Sequence, residues 1–384
     1  MIVKKIGESM ITPLGFSVEE NFAAVMAVRS ELRRHDSLWG LPFPCFVSLI
    51  PDEKLETAFG QEANRQKLSD KCTKFEKIAL LSAIKAVKQS EIDPSSERVV
   101  FVLSSTKGNV ELLADENPNL ERVTPAHTAE MIANYFRNPN RPLTVSNACI
   151  SGLCAQIEAY RCLKSGQYDT AVVIGADVLS PFIVAGFQSL KALSDEQCQP
   201  FSANRKGLNL GEAAAAVVYT VADDAADGWR MLAGAVRNDA NHISGPSRTG
   251  EGSYRALMSV LDKSGLSAKD LACLNVHGTS TLYNDEMEAI AINRAGLNQV
   301  PVNAMKGYYG HTLGAAGVLE TLLTMRALED GKVPATRGFD EIGVTMSVPV
   351  SSESVDTQKN AFVKLLSGFG GCNAAAAFVR RLEG

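Results

Sequence analysis

Four short stretches of the sequence hold side chains that could do chemistry, and the first contains a cysteine. In "LTVSNACISG" (143–152), a β-branched run leads into Cys149, and small residues and a helical pattern follow. Unpaired N–H groups at the amino end of a helix favour negative charge, so a thiol there is predicted to favour the thiolate. Cys149 is therefore a candidate nucleophile, with a core-packing role as the alternative.

The second stretch, "NVHGTSTLYNDEMEAIAI" (275–292), places a histidine at the end of a strand-like run. His277 precedes a Gly-Thr-Ser turn, at the kind of strand end where α/β folds collect catalytic groups. In the helix that follows, Asn284 is the expected cap, and Asp285 and Glu286 suit the helix dipole. The pattern leaves a catalytic and a structural role for His277 equally open.

The third stretch, "NAMKGYYGHTLGAAGVLE" (303–320), places Lys306 and His311 on either side of a glycine-containing turn. The small residues that follow allow a helix to pack closely against another backbone. We expect His311 at the start of this helix, where the dipole disfavours the imidazolium. A neutral imidazole there can donate a hydrogen bond without competing as a charge.

The last stretch, "SGFGGCN" (367–373), places Phe369 among three glycines after a strand-like run. Glycines allow tight backbone geometry and expose N–H groups, so the loop could help to form an oxyanion hole. An ordinary glycine turn is the alternative. No Gly-x-Gly-x-x-Gly motif follows a strand, which argues against a nucleotide-binding loop.

The elements that must position these residues alternate along the chain. Short β-rich runs are predicted as strands at residues 98–105, 170–178, 214–221, 271–278 and 362–371. Between them lie longer segments with helical spacing, of which 74–90 has apolar residues on one face and charges on the other. This order predicts an α/β architecture with largely buried sheets.

Composition and charge exclude several classes of function. The chain has 384 residues, 45% of them hydrophobic, and a formal charge of −5 without long blocks of one sign. Nucleic-acid binding is not indicated, and no apolar run reaches signal-peptide or membrane-span length. The acidic, small-residue segment 222–229 is the best linker candidate, which predicts domains at 1–222 and 229–384.

The eight cysteines are scattered, with no Cys-x-x-Cys pair and no clustered histidines. Neither a zinc site nor a disulfide framework is therefore expected. We expect a reduced, cytoplasmic protein of enzyme size.

Together, and in the order in which they follow one another along the chain, these motifs are similar to those of a known family. The chain resembles the β-ketoacyl-acyl carrier protein synthases, the elongating condensing enzymes of the thiolase superfamily. The motifs that carry the resemblance are "MITPLGFSVEENFAAV", "SSTKGN", "NACISG", "PFSANRKGLNLGEAAAAVV", "NDANHISGP", "HGTSTLYNDEMEA", "KGYYGHTLGAAGVLE" and "GFGGCN". They span most of the length. The resemblance implies a thiolase-like α/β fold, with two similar α/β halves that form a five-layered αβαβα sandwich.

The resemblance also assigns roles to single residues. It implies that Cys149 is the acylated nucleophile and that His277 and His311 are the two active-site histidines. Lys306 would support this pair electrostatically. The further implied roles are Glu288 as the carboxylate partner of Lys306, Glu320 as a supporting group, Phe369 as the gate, and the N–H groups of Cys149 and Phe369 as the oxyanion hole.

The activity that the resemblance implies is a decarboxylative Claisen condensation between an acyl chain on Cys149 and malonyl-acyl carrier protein, in fatty acid, polyene or polyketide-type chain elongation. No cofactor and no metal are implied. The expected partners are acyl- and malonyl-loaded acyl carrier proteins and a second subunit, in a homodimer or with a sister ketosynthase. The alternative is a non-condensing subunit of the chain-length-factor type. A third possibility is a synthase that only decarboxylates or hydrolyses its substrate, which would have the same residues and differ only in its product.

Three places in the chain, five residues in all, depart from the family pattern. Leu282 stands where proline is usual, Leu365-Leu366-Ser367 replaces Asn-Ser-Phe, and Ser244 stands where threonine is common. The catalytic groups are intact, whereas loops near the acyl pocket and the gate differ. These changes permit a specialised pathway for polyene or polyketide-like chains.

Overall fold

The computed structural model describes residues 1–64, 68, 71–223, 227–239 and 241–381. The α-helices among them are α1 (Val18–Met26), α2 (Asp52–Glu62), α3 (Lys74–Ser90), α4 (Leu120–Val123), α5 (Pro125–Tyr135), α6 (Ser151–Lys164), α7 (Pro181–Ser189), α8 (Glu251–Ser264), α9 (Leu282–Arg294), α10 (Lys306–Tyr309) and α11 (Ala316–Glu329). The strands are β1 (Ile2–Ile11), β2 (Arg33–His35), β3 (Cys45–Ser48), β4 (Val99–Ser104), β5 (Leu143–Val145), β6 (Thr170–Asp177), β7 (Leu210–Gly211), β8 (Ala213–Ala222), β9 (Gly228–Asn238), β10 (Leu271–Asn275), β11 (Val302–Asn303), β12 (Lys332–Val333), β13 (Val355–Asp356), β14 (Ala361–Gly368) and β15 (Cys372–Arg381).

The predicted helix and strands are confirmed, with differences at their ends. The helix expected at 74–90 is α3, which Thr73 caps through a reciprocal pair of hydrogen bonds with Glu76. The strand expected at 271–278 ends earlier, at Asn275, and the chain turns at Gly278, whose φ is +49°. Five strands that the sequence pattern did not predict complete the sheet: β1, β5, β9, β11 and β15.

A mixed ten-stranded sheet consists of two five-stranded halves. The strand order is β11-β10-β14-β15-β9-β1-β8-β6-β4-β5, and the halves meet where β1 pairs with β9 over two positions, Val3 with Met231 and Lys4 with Arg230. In each half the outer strands are parallel, β5-β4-β6 in the first and β11-β10-β14 in the second. The carboxyl ends of these parallel strands carry the loops that form the site.

Helices cover the sheet in layers. Helices α6 and α11 pack on each other and contact strands of both halves, so they form the central layer. Helix α3 covers the outer face of the first half and α8 that of the second. One apolar core lies between α3 and the first half, one surrounds the central helices between the two halves, and one lies between the second half and α8. This arrangement gives the predicted αβαβα order.

The predicted linker is short. Strand β8 ends at Ala222 and β9 begins at Gly228, and residues 224–226 of the segment lie outside the described residues. In the part of the chain that the structure describes, no helix is long and apolar enough to cross a bilayer.

Candidate active site

Cys149 lies on a strained turn between β5 and α6. The preceding Ala148 has a φ of +45°, and Ile150 is the N-cap of α6, so Cys149 stands just ahead of the amino end of that helix. The N–H of Phe369 donates a hydrogen bond to the Cys149 sulfur. The Gly-rich loop lies so close that a Cβ on Gly368 would stand 3.2 Å from the Cys149 nitrogen.

The prediction that this position favours a thiolate is wrong. Burial raises the pKa of the Cys149 thiol to about 12, although Lys306 and the hydrogen bond from Phe369 act in the opposite direction. Only 6% of the residue is exposed, so desolvation of a thiolate outweighs the attraction of the helix end. The thiol is therefore protonated at neutral pH, and its reaction requires a nearby base.

Both histidines lie beside this thiol. One ring nitrogen of His277, one of His311 and the sulfur of Cys149 all lie within 4.8 Å of one another. The two rings are edge to face, with centroids 5.0 Å apart. Sequence positions far apart in the chain are thus brought together as the resemblance implied.

The hydrogen bonds around His311 select its tautomer. The backbone N–H of Leu313 donates to Nδ1 of His311 at 3.3 Å, so a neutral ring carries its proton on Nε2. That Nε2 atom is buried and has no partner in the described protein, and the same holds for Nδ1 of His277. Buried polar atoms without a partner are expected where a substrate binds.

Burial lowers the pKa of both His277 and His311 well below the ordinary histidine value, and the charges of Lys306 and Lys364 lower it further. Both rings are therefore neutral at neutral pH.

His311 does not begin a helix as expected: the chain forms a 3-10 turn at Leu313–Ala315 before α11 begins. Its neutral state comes from burial and the two lysines.

The carboxylate partner of Lys306 is Glu320, which corrects the prediction of Glu288. The ammonium group of Lys306 lies 2.9 Å from Oε1 of Glu320 and donates to the carbonyl of His277 at 2.6 Å. Burial opposes the ionisation of Glu320, but Lys306 and Lys364 outweigh it and lower the pKa of this carboxyl. Because Lys306 also holds the His277 carbonyl, the pair fixes this histidine's backbone.

Glu288 holds the turn after β10 instead. Its carboxylate accepts hydrogen bonds from the N–H groups of His277 and Gly278, both at 2.7 Å, and from the amide of Asn284 at 2.9 Å. Burial raises the pKa of Glu288 to about 7, against these hydrogen bonds. Asn284 is therefore not the helix cap, since α9 begins at Leu282 and Thr281 takes the cap position.

Sequence reasoning missed Lys364, a second buried lysine of the site. Its ammonium group lies 2.5 Å from Oε2 of Glu320, and neither side chain is more than 2% exposed. Burial lowers the pKa of Lys364 to about 8, and Glu320 opposes this shift. The signal in the sequence was a lysine inside the apolar run "AFVKLL", because lysine is almost never fully buried unless it is paired.

Phe369, the predicted gate, packs against an aromatic neighbour, and its backbone N–H reaches the Cys149 sulfur. Its ring lies 5.7 Å from that of Phe187 on α7, and the Phe187 ring lies edge-on to His311 at 6.5 Å. The glycine after Phe369 is bound to the loop around His242, since Gly370 donates to the carbonyl of Ile243 at 2.7 Å. A movement of Phe369 would therefore involve two neighbouring segments.

Cys149 and both histidines line a cavity of about 420 Å³. Apolar side chains such as Phe187 and Leu208 form part of its wall, and its polar lining includes Thr279 and Thr281. A mainly apolar cavity with a few polar groups is typical of a small-molecule site.

Two of the three departures from the family pattern lie on this cavity. Ser244 and Ser367 line it. Leu282 is the first residue of α9, 56% exposed, and stands at the position where proline suits a helix. Leu365 and Leu366 are fully buried in the packed layers. The cavity lining is therefore changed chiefly by small hydroxyl side chains.

The thiol and two imidazoles are also the kind of group that can bind a metal ion. The ammonium groups of Lys306 and Lys364 lower the pKa of both histidines because they repel a proton, and they would repel a divalent cation in the same way. We therefore assign no metal to these residues.

Two family models match the chain: the beta-ketoacyl synthase N-terminal domain at residues 6–225 and the beta-ketoacyl synthase C-terminal domain at residues 230–340. The chain belongs to the beta-ketoacyl synthase family. The resemblance drawn from its motifs is confirmed, and the protein is an acyltransferase of the condensing type.

Known proteins agree over almost the whole length. A 3-oxoacyl-[acyl-carrier-protein] synthase 2 of Vibrio cholerae is 29% identical over 97% of this chain and 98% of its own. A beta-ketoacyl synthase from Burkholderia phymatum has a TM-score of 0.87 at 23% identity, covering 99% of this chain and all of that one. A ketosynthase from Xenorhabdus doucetiae, solved in complex with its chain length factor, has a TM-score of 0.82 at 24% identity, covering 99% and 98%. The predicted thiolase-like fold is confirmed.

Proposed function

We propose that this synthase transfers an acyl chain to Cys149 and condenses it with malonyl-acyl carrier protein, with loss of carbon dioxide. One observation carries the assignment of the residues: the Cys149 sulfur and a ring nitrogen of each of His277 and His311 lie within 4.8 Å of one another, and all three residues line one cavity. A nucleophile, a base and hydrogen-bond donors are thereby within reach of one thioester.

In the acylation step, the thiol proton of Cys149 passes to His277, because Nδ1 of His311 already accepts a backbone hydrogen bond. The sulfur attacks the thioester carbonyl, and the oxyanion that forms accepts hydrogen bonds from the N–H groups of Cys149 and Phe369. The tetrahedral intermediate collapses with cleavage of the thioester bond. The departing carrier-protein thiolate takes the proton from His277, which returns the ring to its neutral form.

In the condensation step, the bond between the malonyl carboxylate and its α-carbon breaks, carbon dioxide leaves, and the electron pair forms an enolate. The enolate oxygen accepts hydrogen bonds from the neutral rings of His277 and His311; a preorganised donor of this kind contributes about 3 kcal/mol. The α-carbon attacks the acyl-Cys149 carbonyl to form the new carbon–carbon bond. Cys149 leaves as thiolate and takes up a proton from solvent water, which balances the proton that the loss of carbon dioxide from a carboxylate consumes.

Three charged side chains position these groups without touching substrate. Glu288 holds the backbone N–H groups of His277 and Gly278, and Lys306 holds the His277 carbonyl while paired with Glu320. Lys306 also adds positive charge, which keeps the rings neutral. Phe369 is proposed as the gate that moves aside when the acyl chain enters.

The proposed partners are acyl- and malonyl-loaded acyl carrier proteins and a second ketosynthase subunit, identical or a sister chain. The relative from Xenorhabdus doucetiae, solved with its chain length factor, supports the second arrangement. We also propose that the chain divides into domains at 1–222 and 229–384. A cytoplasmic location is proposed because all eight cysteines are free.

The alternative function is a non-condensing partner of the chain-length-factor type. A steady-state assay separates the two: purified protein is incubated with acyl- and malonyl-acyl carrier proteins, and carbon dioxide and the β-ketoacyl product are measured. The proposal predicts product from the wild type and about 100-fold less carbon dioxide from His311→Ala, because one enolate donor is lost. Product that appears only with an added sister synthase, and is unchanged by His311→Ala, would establish the partner role.

A further inference from the structure

Lys364 is a fully buried lysine in the middle of strand β14. All residues of this strand except the last are buried, and the neighbouring side chains Val363 and Leu365 are apolar. A lone buried ammonium group is unfavourable, so its place in the strand depends on the groups it contacts.

The ammonium group of Lys364 contacts the active-site network on two sides. It lies 2.5 Å from Oε2 of Glu320, and it points toward the carbonyls of Val276 at 3.3 Å and Asn275 at 3.5 Å. Those two residues lead directly into His277. Strand β14 pairs in parallel with β10 so that Lys364 is opposite Asn275, which fixes this contact by the register of the sheet.

We propose that Lys364 is a second positioning lysine of the active site, which with Lys306 clamps Glu320 and holds the backbone leading to His277 beside Cys149. Lys306 holds the His277 carbonyl, whereas Lys364 holds the two carbonyls before it. The inference rests on the proposed roles of His277 and Cys149.

Stability alone does not explain this lysine. Lys306 already neutralises Glu320, so Lys364 adds a buried positive charge that an apolar side chain of similar size would avoid. A second cation also acts on the catalytic rings, because it lowers the pKa of both His277 and His311. The proposed positioning role of Lys364 therefore accounts for a buried charge that packing does not require.

Several ionisable groups face Lys364 from neighbouring elements. They are Glu320 on α11, Lys306 on α10, Glu288 on α9, Cys273 on β10, and the rings of His277 and His311. When Lys364 is replaced by an uncharged residue, the rings lose one repelling cation and bind a proton at higher pH. The acidic limb of the activity profile, where the neutral rings become protonated, must then move to higher pH.

The test compares Lys364→Met with a matched control, Lys359→Met, in malonyl-acyl carrier protein decarboxylation between pH 5 and 9. Lys359 donates to the carbonyl of Leu271 at 3.1 Å, at the other end of β10. We expect Lys364→Met to be about tenfold slower at pH 7, with a larger deficit at lower pH, and Lys359→Met to stay within about twofold. Lys364→Arg keeps the charge and should restore the acidic limb.

Histidine NMR supplies a readout that does not depend on turnover. The chain has five histidines, so the rings of a histidine-labelled protein can be titrated one by one. In Lys364→Met the pKa of His277 should rise relative to the wild type. An unchanged titration, or an activity loss that is equal at every pH and not restored by arginine, would overturn the inference. A wild type without decarboxylase activity would instead refute the proposed function.

Discussion

Replacement of Glu320 by glutamine tests the charge network of the site most severely. Glu320 is the carboxylate between two buried ammonium groups, 2.9 Å from Lys306 and 2.5 Å from Lys364. The glutamine keeps the size of the side chain but leaves two like charges together without a counter-ion. When either lysine is replaced by methionine, in contrast, Glu320 and the remaining lysine form an ion pair with no net charge.

The expected loss of unfolding free energy differs between the glutamate and lysine variants, because only the glutamate variant leaves buried charge uncompensated. Removal of one partner from a buried ion pair lowers the free energy of unfolding by about 3–5 kcal/mol, so Glu320→Gln should fall at the upper end of that range. Lys364→Met should change it by less than about 1 kcal/mol in either direction, because the remaining pair of Lys306 and Glu320 is balanced.

The deficit of Glu320→Gln should shrink as the pH rises. Without the carboxylate, the pKa of Lys364 falls below its present value of about 8. Above that lowered pKa, the folded variant has released a proton that its unfolded chain still holds, so its stability rises with pH relative to the wild type. The difference in unfolding free energy between variant and wild type is therefore smaller at pH 8 than at pH 6.

Urea denaturation at both pH values measures this effect. The matched control is Glu329→Gln on the same helix, whose carboxylate accepts a hydrogen bond from Trp229 that an amide oxygen can also accept. A Glu320→Gln variant no less stable than Glu329→Gln, or a Lys364→Met variant destabilised as strongly as Glu320→Gln, would show that Glu320 is not the counter-ion of two buried cations.

Two further predictions concern the nucleophile. Because burial raises the pKa of Cys149 to about 12, its alkylation rate with iodoacetamide should rise about tenfold per pH unit from pH 7 to 9, and a plateau below pH 8 would contradict this. Gly368→Ala places a Cβ 2.8 Å from the Cys372 sulfur and 3.2 Å from the Cys149 nitrogen, so acyl transfer should slow by about 100-fold. Gly186→Ala, where a Cβ meets nothing within 4 Å, should leave the rate unchanged; equal rates for the two variants would contradict the crowding at the oxyanion hole.

Periodic apolar spacing predicted a helix correctly, whereas strands that depend on their neighbours were missed. The limits of α3 were predicted from its apolar and charged faces, and the structure adds the capping box of Thr73 and Glu76 at its start. Strand β15, "CNAAAAFVRR", is rich in alanine and has weak β propensity. It forms a strand because it lies between β14 and β9, a contact that only the complete fold supplies.

The residues that meet at Cys149 were predictable apart from the buried Lys364, whereas their ionisation was not. The order of the motifs identified Cys149, His277 and His311, and the structure brings them together. The ionisation of the thiol was predicted wrongly, because the cost of burial depends on tertiary packing. The partner of Lys306 was also wrong, since Glu288 and Glu320 are equally suitable in sequence and only geometry separates them.

Intact-protein mass spectrometry tests the central claim that Cys149 carries the acyl chain. Wild type and Cys149→Ala are incubated with a panel of acyl-carrier proteins, and malonyl-acyl carrier protein is then added. We expect a mass increase by one acyl group on the wild type alone, and this increase should disappear as β-ketoacyl product forms. An acyl group on Cys149→Ala, or a wild type that stays unmodified until a sister synthase is supplied, would contradict it.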